Sequence, residues 1–278
     1  PSDKQGNYWS DYTGVDLDGD GIGDYRYYIN GNEIGDRYPL MNRFTGPPKF
    51  MWIDDNFNTS TCGWQFDHFD CIQDGINVVA ENGTAFVYNG VYYETDGIHN
   101  TITCLGENID NTVIDGGGVG DVIHISTDWV YIKNLKIQNS GGENGDAGID
   151  IQTNYTTVSH NNISSNRIGI ILSSFTNHNL LYHNNFISNI EGNAIDEGNN
   201  TWDNRSSLTG NYWDDFDEPS ESAWDNNSDG IIDTPHDIPG DSNQDRYPLR
   251  EPYYIISQQP DIVYVDDDYH PLTPGWYY

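Results

Sequence analysis

The chain has 278 residues, 35% of them hydrophobic, with 44 acidic against 11 basic side chains and a formal net charge of −33. A field of that sign repels phosphate backbones and anionic headgroups, which excludes nucleic acid as a partner, and no run approaches the about 18 apolar residues needed to cross a bilayer. With 29 Gly, 20 Tyr, 9 Phe and 8 Trp, this is a folded, turn-rich chain and not a disordered acidic tail.

The opening, PSDKQGNYWS, lacks the basic and apolar regions of a signal peptide, so an export signal is expected outside these residues. Asp16, Asp18, Asp20 and Asp24 follow, with Ile22 between them. That spacing suits a calcium loop, in which alternate carboxylates and one backbone carbonyl, here that of Ile22, converge on a tight Gly-permitted turn. Position 12, a bidentate Glu in a full EF-hand, is Tyr27. Asp36 is the candidate for the missing ligand, against a structural role beside Arg37. Calcium is therefore the expected cofactor, the bland alternative being an empty solvated turn.

Residues 41–49 read as a Pro-containing linker. Next, Phe69, Ile72, Ile76, Val79 and Ala80 have helical spacing and stop at Asn82-Gly83, which predicts an amphipathic helix over 68–81 lidding the open end of the core. Strands are expected at 85–88, 101–105, 112–114, 122–125 and 130–137. Cys62 and Cys71 lie close enough around a Trp-containing turn for a disulfide in an oxidising compartment, whereas Cys104, in the run TITCLG, reads as buried and inert.

Between 148 and 189 a short period appears. Val158 to Asn166 realigns with Leu181 to Asn189 at an offset of 23, and Gly148-Ile149 with Gly169-Ile170 at 21. Turn-bounded β-branched strands at that spacing predict an all-β, right-handed parallel β-helix in which each strand pairs with its equivalents about 4.8 Å above and below. Ile149, Ile151, Ile170 and Leu172 should face inward, and Asn161 over Asn184 and Asn162 over Asn185 should stack as amide ladders. His160 and His183 share a rung position and read as a stacked surface pair, not a transition-metal site.

A longer period frames the shorter one. Gly6-Asn7-Tyr8-Trp9 returns at Gly210-Asn211-Tyr212-Trp213, and Asp36-Arg37-Tyr38-Pro39-Leu40 returns at Asp245-Arg246-Tyr247-Pro248-Leu249. Between those blocks lies a second loop of the calcium type, Asp225, Asn227, Asp229, Ile231 and Asp233, with Asp245 in the place of Asp36 and His236 at position 12. The expected organisation is thus 1–40 as the tail of one unit with a calcium loop, 41–49 as linker, 50–249 as a complete unit ending in a calcium loop, 250–260 as a second linker, and 261–278 as the opening strand of a further unit. Trp9, Trp64 and Trp213 recur with this frame, so packing is a better reading of them than sugar stacking.

These blocks, from GNYWSDYTGVDLDGDGIGDYRYYINGNEIGDRYPLM through the Asn-rich rungs, resemble the NosD-like right-handed parallel β-helix repeats of archaeal cell-surface proteins. The resemblance covers 1–40 and about 65–250. It implies a secreted or surface-layer protein in tandem repeats, and does not by itself imply catalysis.

Seven Asn-x-Ser/Thr sites, at Asn58, Asn82, Asn154, Asn162, Asn199, Asn204 and Asn226, together with the acidity and the scarcity of Lys, favour an extracellular, cell-surface glycoprotein. The function read from these features is a calcium-stabilised structural module of a layer, sheath or filament. Its expected partners are copies of itself or adjoining repeats, with surface polysaccharide as a further one. The alternative is a carbohydrate-binding or polysaccharide-cleaving β-helix, a hydrolase or lyase with Asp146 and Asp150 as acid and base. Both residues read more simply as turn and solvent-face side chains.

Overall fold

The computed structural model describes residues 6–17, 21–29, 35–41 and 46–254. Its body is a right-handed parallel β-helix built from three sheets of five, eight and six strands, each strand paired in parallel with its equivalent one rung away. The sequence rule is simple. Alternation in these short strands turns one or two aliphatic side chains per strand inward, and rung stacking lines those side chains up. In the five-stranded sheet Ile98, Ile125, Ile151 and Leu172 are successive partners along one such column, each at most 1% exposed. Burial of each is worth about 1.5–3 kcal/mol. Ile149 and Ile170 are likewise fully buried.

Between residues 129 and 188 the rungs bend at three corners, and at each of these corners one non-glycine residue is left-handed. Trp129, Tyr155 and His178 mark the first corner, with φ of 64, 58 and 62°. Asn134, His160 and His183 mark the second, and Asn139, Ser165 and Ser188 the third. The residue after the corner points inward and ties the rungs. Asn161 donates to the Asn184 side-chain oxygen at 3.1 Å, and Asn184 to that of Asn211 at 3.0 Å. Parallel ladders join Asn166 to Asn189 at 3.3 Å and Asn179 to Asn200 at 3.0 Å. These amides also donate to backbone carbonyls of the neighbouring strands, such as Val158 O from Asn184 at 2.8 Å.

Three expectations are corrected here. The stretch 130–137 is not one strand but two, Tyr131–Lys133 and Lys136–Gln138, because Asn134 turns the corner at φ 60°. The helix is shorter than 68–81. It spans Ile72–Val78, since His68–Phe69 is a strand pairing with Trp52 and Ile53, and Val79 is already extended at ψ 138°. It does cover the open end of the core, burying Ile72, Gly75 and Ile76. Finally, Asn162 and Asn185 are in register but form no amide ladder. Asn185 instead binds the Tyr253 backbone, accepting its N–H at 2.7 Å and donating to its carbonyl at 3.0 Å.

At the other end the rungs are closed by residues 196–249. Trp202 and Trp213 are fully buried, and Trp213 stacks on Phe186 at 4.4 Å. Leu249 bridges both Tyr212 and Ile231. Residues 6–41 repeat that closing unit, with Leu40 bridging Tyr8 and Ile22. The expected opening strand at 261–278 lies outside the described residues, as does 255–260 of the second linker.

Candidate functional site

The five-stranded sheet that buries Ile123, Ile125, Ile149 and Ile151 presents the intervening residues on its outer face. Register then sets His124 directly beside Asp150, one rung on. The His124 Nδ1 lies 2.9 Å from Asp150 Oδ2 and 4.0 Å from Asp121 Oδ2. One ligand atom from each of the three residues falls within 4.8 Å of the others.

Neighbouring groups hold this arrangement. The other oxygen of Asp121 accepts the Ala147 amide at 2.8 Å, and Gln152 donates to Asp150 Oδ2 at 2.8 Å. Asp150 is 8% exposed although it faces outward. Burial pushes the Asp121 carboxyl above the ordinary carboxylate range, and the charges of Asp150 and Asp146 push it the same way, against the Ala147 amide and the imidazole. Two carboxylates and one imidazole crowded on a strand face form a site whose like-charge repulsion a bound cation would relieve.

The residues expected to hold calcium are arranged otherwise. Asp18 and Asp20 lie outside the described residues. Asp16 accepts the Gly21 amide at 2.9 Å and Asp24 the Leu17 amide at 2.7 Å, while Ile22 serves a bridge to Leu40. In the second loop Asp225 accepts the Asp229 and Gly230 amides, Asp229 accepts the Ile231 amide and the Asn227 side chain, and Asp233 accepts Asn226. Ile231 bridges Leu249. Among the described residues, no three carboxylate, imidazole or thiol ligand atoms of this loop come as close as those of Asp121, His124 and Asp150.

Asp36 and Asp245 are indole acceptors. Asp245, fully buried, takes the Trp213 ring N–H at 3.0 Å and the Asn211 and Tyr247 amides, and Asp36 does the same for Trp9, Asn7 and Tyr38.

The expected Cys62–Cys71 disulfide is absent, since both thiols are free. Cys71 precedes the helix and turns toward Glu94, donating to its carboxylate at 3.0 Å, while Cys62 sits on an exposed turn. Burial, followed by that hydrogen bond, pushes the Cys71 thiol up to about 12. Cys104 is buried as expected.

Of the sequon asparagines, Asn58, Asn82, Asn199 and Asn226 are exposed, whereas Asn154, Asn162 and Asn204 are half-buried. Asn154 accepts the Asn177 amide and Asn204 caps Ser206, so both side chains serve the fold. Asp146 accepts the Glu143 amide at 2.8 Å, a turn role. His183 Nδ1 lies 3.2 Å from His160 Nε2, and its ring stacks on Tyr253 at 4.3 Å.

Residues 18–218 match the family described as periplasmic copper-binding protein (NosD), a match over well more than half the chain. The chain belongs to the NosD family. A comparison with curated proteins returned no match. Among solved structures, this NosD-family chain is similar to a pectin methylesterase in complex with a hexasaccharide, at 14% identity and a TM-score of 0.41 over 58% of this chain and 59% of that one. It is also similar to the carrot pectin methylesterase, at 10% identity and 0.37 over 59% and 61%. A third, the Aspergillus niger enzyme, is at 10% and 0.33 over 61% and 66%. The match therefore spans about three-fifths of those chains.

The family description corrects the cofactor: it names copper where the loop spacing pointed to calcium. The donor set on the outer face fits copper in its divalent state, since imidazole nitrogen and carboxylate oxygens suit Cu(II), whereas Cu(I) selects thiolate and thioether sulfur. Sequence reading missed Asp121 and His124. The usable signal was the run Ile123-His124-Ile125, whose alternation turns His124 outward, but its neighbour Asp150 is 26 residues away and adjacent only through the rung register.

Proposed function

We propose that this NosD-family chain is a β-helical binding protein working outside the cytoplasm, and that Asp121, His124 and Asp150 hold a divalent copper ion on its outer sheet face. The observation that carries this reading is the convergence of one imidazole nitrogen and two carboxylate oxygens within 4.8 Å on adjacent rungs. The family's description supports both the metal and a location in the cell envelope. No helix among the described residues is long and apolar enough to cross a membrane.

In this role the protein supplies a rigid platform. Strand register fixes the spacing of His124 and Asp150, and the Ala147 amide and Gln152 hold the two carboxylates. Binding requires His124 Nδ1 without its proton, so the imidazole carries hydrogen on Nε2. The same description supports a binding protein over an enzyme. A scaffold role in an envelope layer or filament is a second reading, favoured by the duplicated closing unit.

The test is titration of the full chain with copper(II), followed by calorimetry and electron paramagnetic resonance. One equivalent with nitrogen hyperfine coupling from a single imidazole is expected, weakened about tenfold or more in Asp150→Asn and His124→Ala. Unchanged binding in both variants, with native circular dichroism, would overturn the assignment.

A further inference from the structure

The described residues between 6 and 41 repeat the closing unit 210–250 down to individual hydrogen bonds. Gly6 donates to Tyr38 O at 2.9 Å as Gly210 does to Tyr247 O at 2.8 Å, and Leu40 to Asn7 O at 3.0 Å as Leu249 does to Asn211 O at 2.8 Å. Met41 donates to Gly21 O and Arg250 to Gly230 O, both at 3.0 Å. The two copies differ in what covers them.

The second copy is seated on the last rung of the β-helix. Tyr212–Trp213 extends the six-stranded sheet by pairing with Asn185 and Phe186, and the Tyr212 amide donates to Asn184 O at 2.9 Å. Asn211 completes the corner ladder by accepting the Asn184 amide and side chain, and Trp213 lies flat on Phe186. Consequently Asn211 and Trp213 are 0% exposed and Tyr212 8%. In the first copy the equivalent Tyr8 is 37% exposed, Asn7 is exposed, and Trp9 and Leu40 are half-buried.

We infer that the face carrying Asn7, Tyr8 and Trp9 is a docking surface for the open C-terminal end of another parallel β-helix. Its occupant is a rung that offers an Asn at the corner and an aromatic two residues later, as Asn184 and Phe186 do here. Tyr8–Trp9 would add the next strand to that sheet, Asn7 would close its corner ladder, and the Trp9 ring would lie on the aromatic. An uncovered solenoid end has a row of unpaired amides and carbonyls, which the strand Tyr8–Trp9 and the Asn7 side chain would satisfy as Tyr212–Trp213 and Asn211 do here. A second copy of this chain is the poorer fit, because residues 210–249 already cover its terminal rung. The occupant is therefore a β-helical unit without a closing segment of its own.

The experiment builds such an end in front of the chain: a copy of residues 46–209 fused directly to residues 6–278, which reproduces the Thr209-to-Gly210 junction at Gly6. Hydrogen exchange by mass spectrometry is read on the peptide spanning 6–12, whose sequence the added unit does not contain. Protection of that peptide is expected to rise about tenfold or more over the natural chain, and Asn7→Ala with Trp9→Ala should abolish the rise while leaving residues 210–254, which the added unit also lacks, as protected as before. Unchanged exchange at 6–12, or a rise that survives the double substitution, would overturn the inference. So would an added unit that stays unfolded with the cap supplied, since a seated cap must close it.

Discussion

Trp213 donates its indole N–H to Asp245 at 3.0 Å, at a site where both residues are wholly buried. The same carboxylate takes the Asn211 and Tyr247 backbone amides and the Asn211 side chain; of these four donors only the Asn211 side chain has other acceptors, so three depend on Asp245. Asp245→Ala strands all three, and each stranded buried donor costs about 1–3 kcal/mol. A loss of about 3 kcal/mol or more is expected by urea denaturation. Asp36→Ala breaks the equivalent bonds to Trp9 at a more exposed site and should cost about 1 kcal/mol or less. Equal losses at the two positions would contradict this account of burial.

The corner ladder makes a separate prediction. Asn184, 0% exposed, donates to Val158 O and to Asn211, and accepts both nitrogens of Asn161. Asn184→Leu is close in volume but removes the acceptor of the Asn161 backbone amide and the donor to Val158 O and Asn211 in the core. A loss of about 2–4 kcal/mol in thermal or urea unfolding is expected, against less than about 1 kcal/mol for Asn199→Leu on the surface.

Much of this fold could be read from the chain because a β-helix writes its period openly. Ile149, Ile151, Ile170 and Leu172, and the stacked Asn161 and Asn184, follow from two aligned strings. The ladder Asn179–Asn200 is harder to see, since its offset of 21 residues departs from the 23 that aligns Asn161 with Asn184 and Asn166 with Asn189. The helix was drawn too long because Phe69 serves two patterns, falling in helical phase with Ile72 and Ile76 while pairing in a sheet with Ile53. His124 and Asp150 were out of reach for another reason: their adjacency lives in register between rungs, which no local motif encodes. The aspartate-glycine strings had the opposite fault. Their spacing is conspicuous, but Asp225 and Asp233 satisfy backbone amides of their own loop.

Acid should expose opposing contributions from two buried groups. Burial, and then the charges of His183 and Lys133, push the His160 imidazole down to about 4 from an ordinary value near 6.5. The folded state therefore binds this proton less readily than the unfolded chain, and the contribution of the neutral ring, complete above pH 6.5, is lost as pH falls toward 4. Burial raises the Asp245 carboxyl to about 7 against four opposing hydrogen bonds, so its contribution is complete below the unfolded value of 3.8 and is lost as pH rises through 7. His160→Gln should flatten the rise of stability between pH 4 and 6.5, whereas Asp245→Asn should steepen it. Urea unfolding at half-unit pH steps measures both slopes, and a change of the same sign in the two variants would contradict the assignment.

The strand Asp96–Ile98 contains a residue that breaks the inward pattern. Asp96 pairs in register with the fully buried Ile123, is itself 3% exposed, and lies beside the Glu94 carboxyl. Desolvation, reinforced by the Glu94 charge, holds its carboxyl well above the ordinary range. Between the unfolded value of 3.8 and this raised one the folded chain holds a proton that the unfolded chain releases, so this position opposes folding increasingly as pH rises from 3.8. Asp96→Val replaces the carboxyl with a β-branched side chain suited to a column that continues as Ile123 and Ile149. Removing a desolvated buried carboxyl should raise stability at pH 7 by about 1–3 kcal/mol, with a smaller gain at pH 4, where the unfolded carboxyl is only about half ionised. Denaturation of the two chains at pH 4 and 7 decides it: a variant less stable at pH 7, or a gain that does not grow with pH, would mean that Asp96 has a partner the fold depends on.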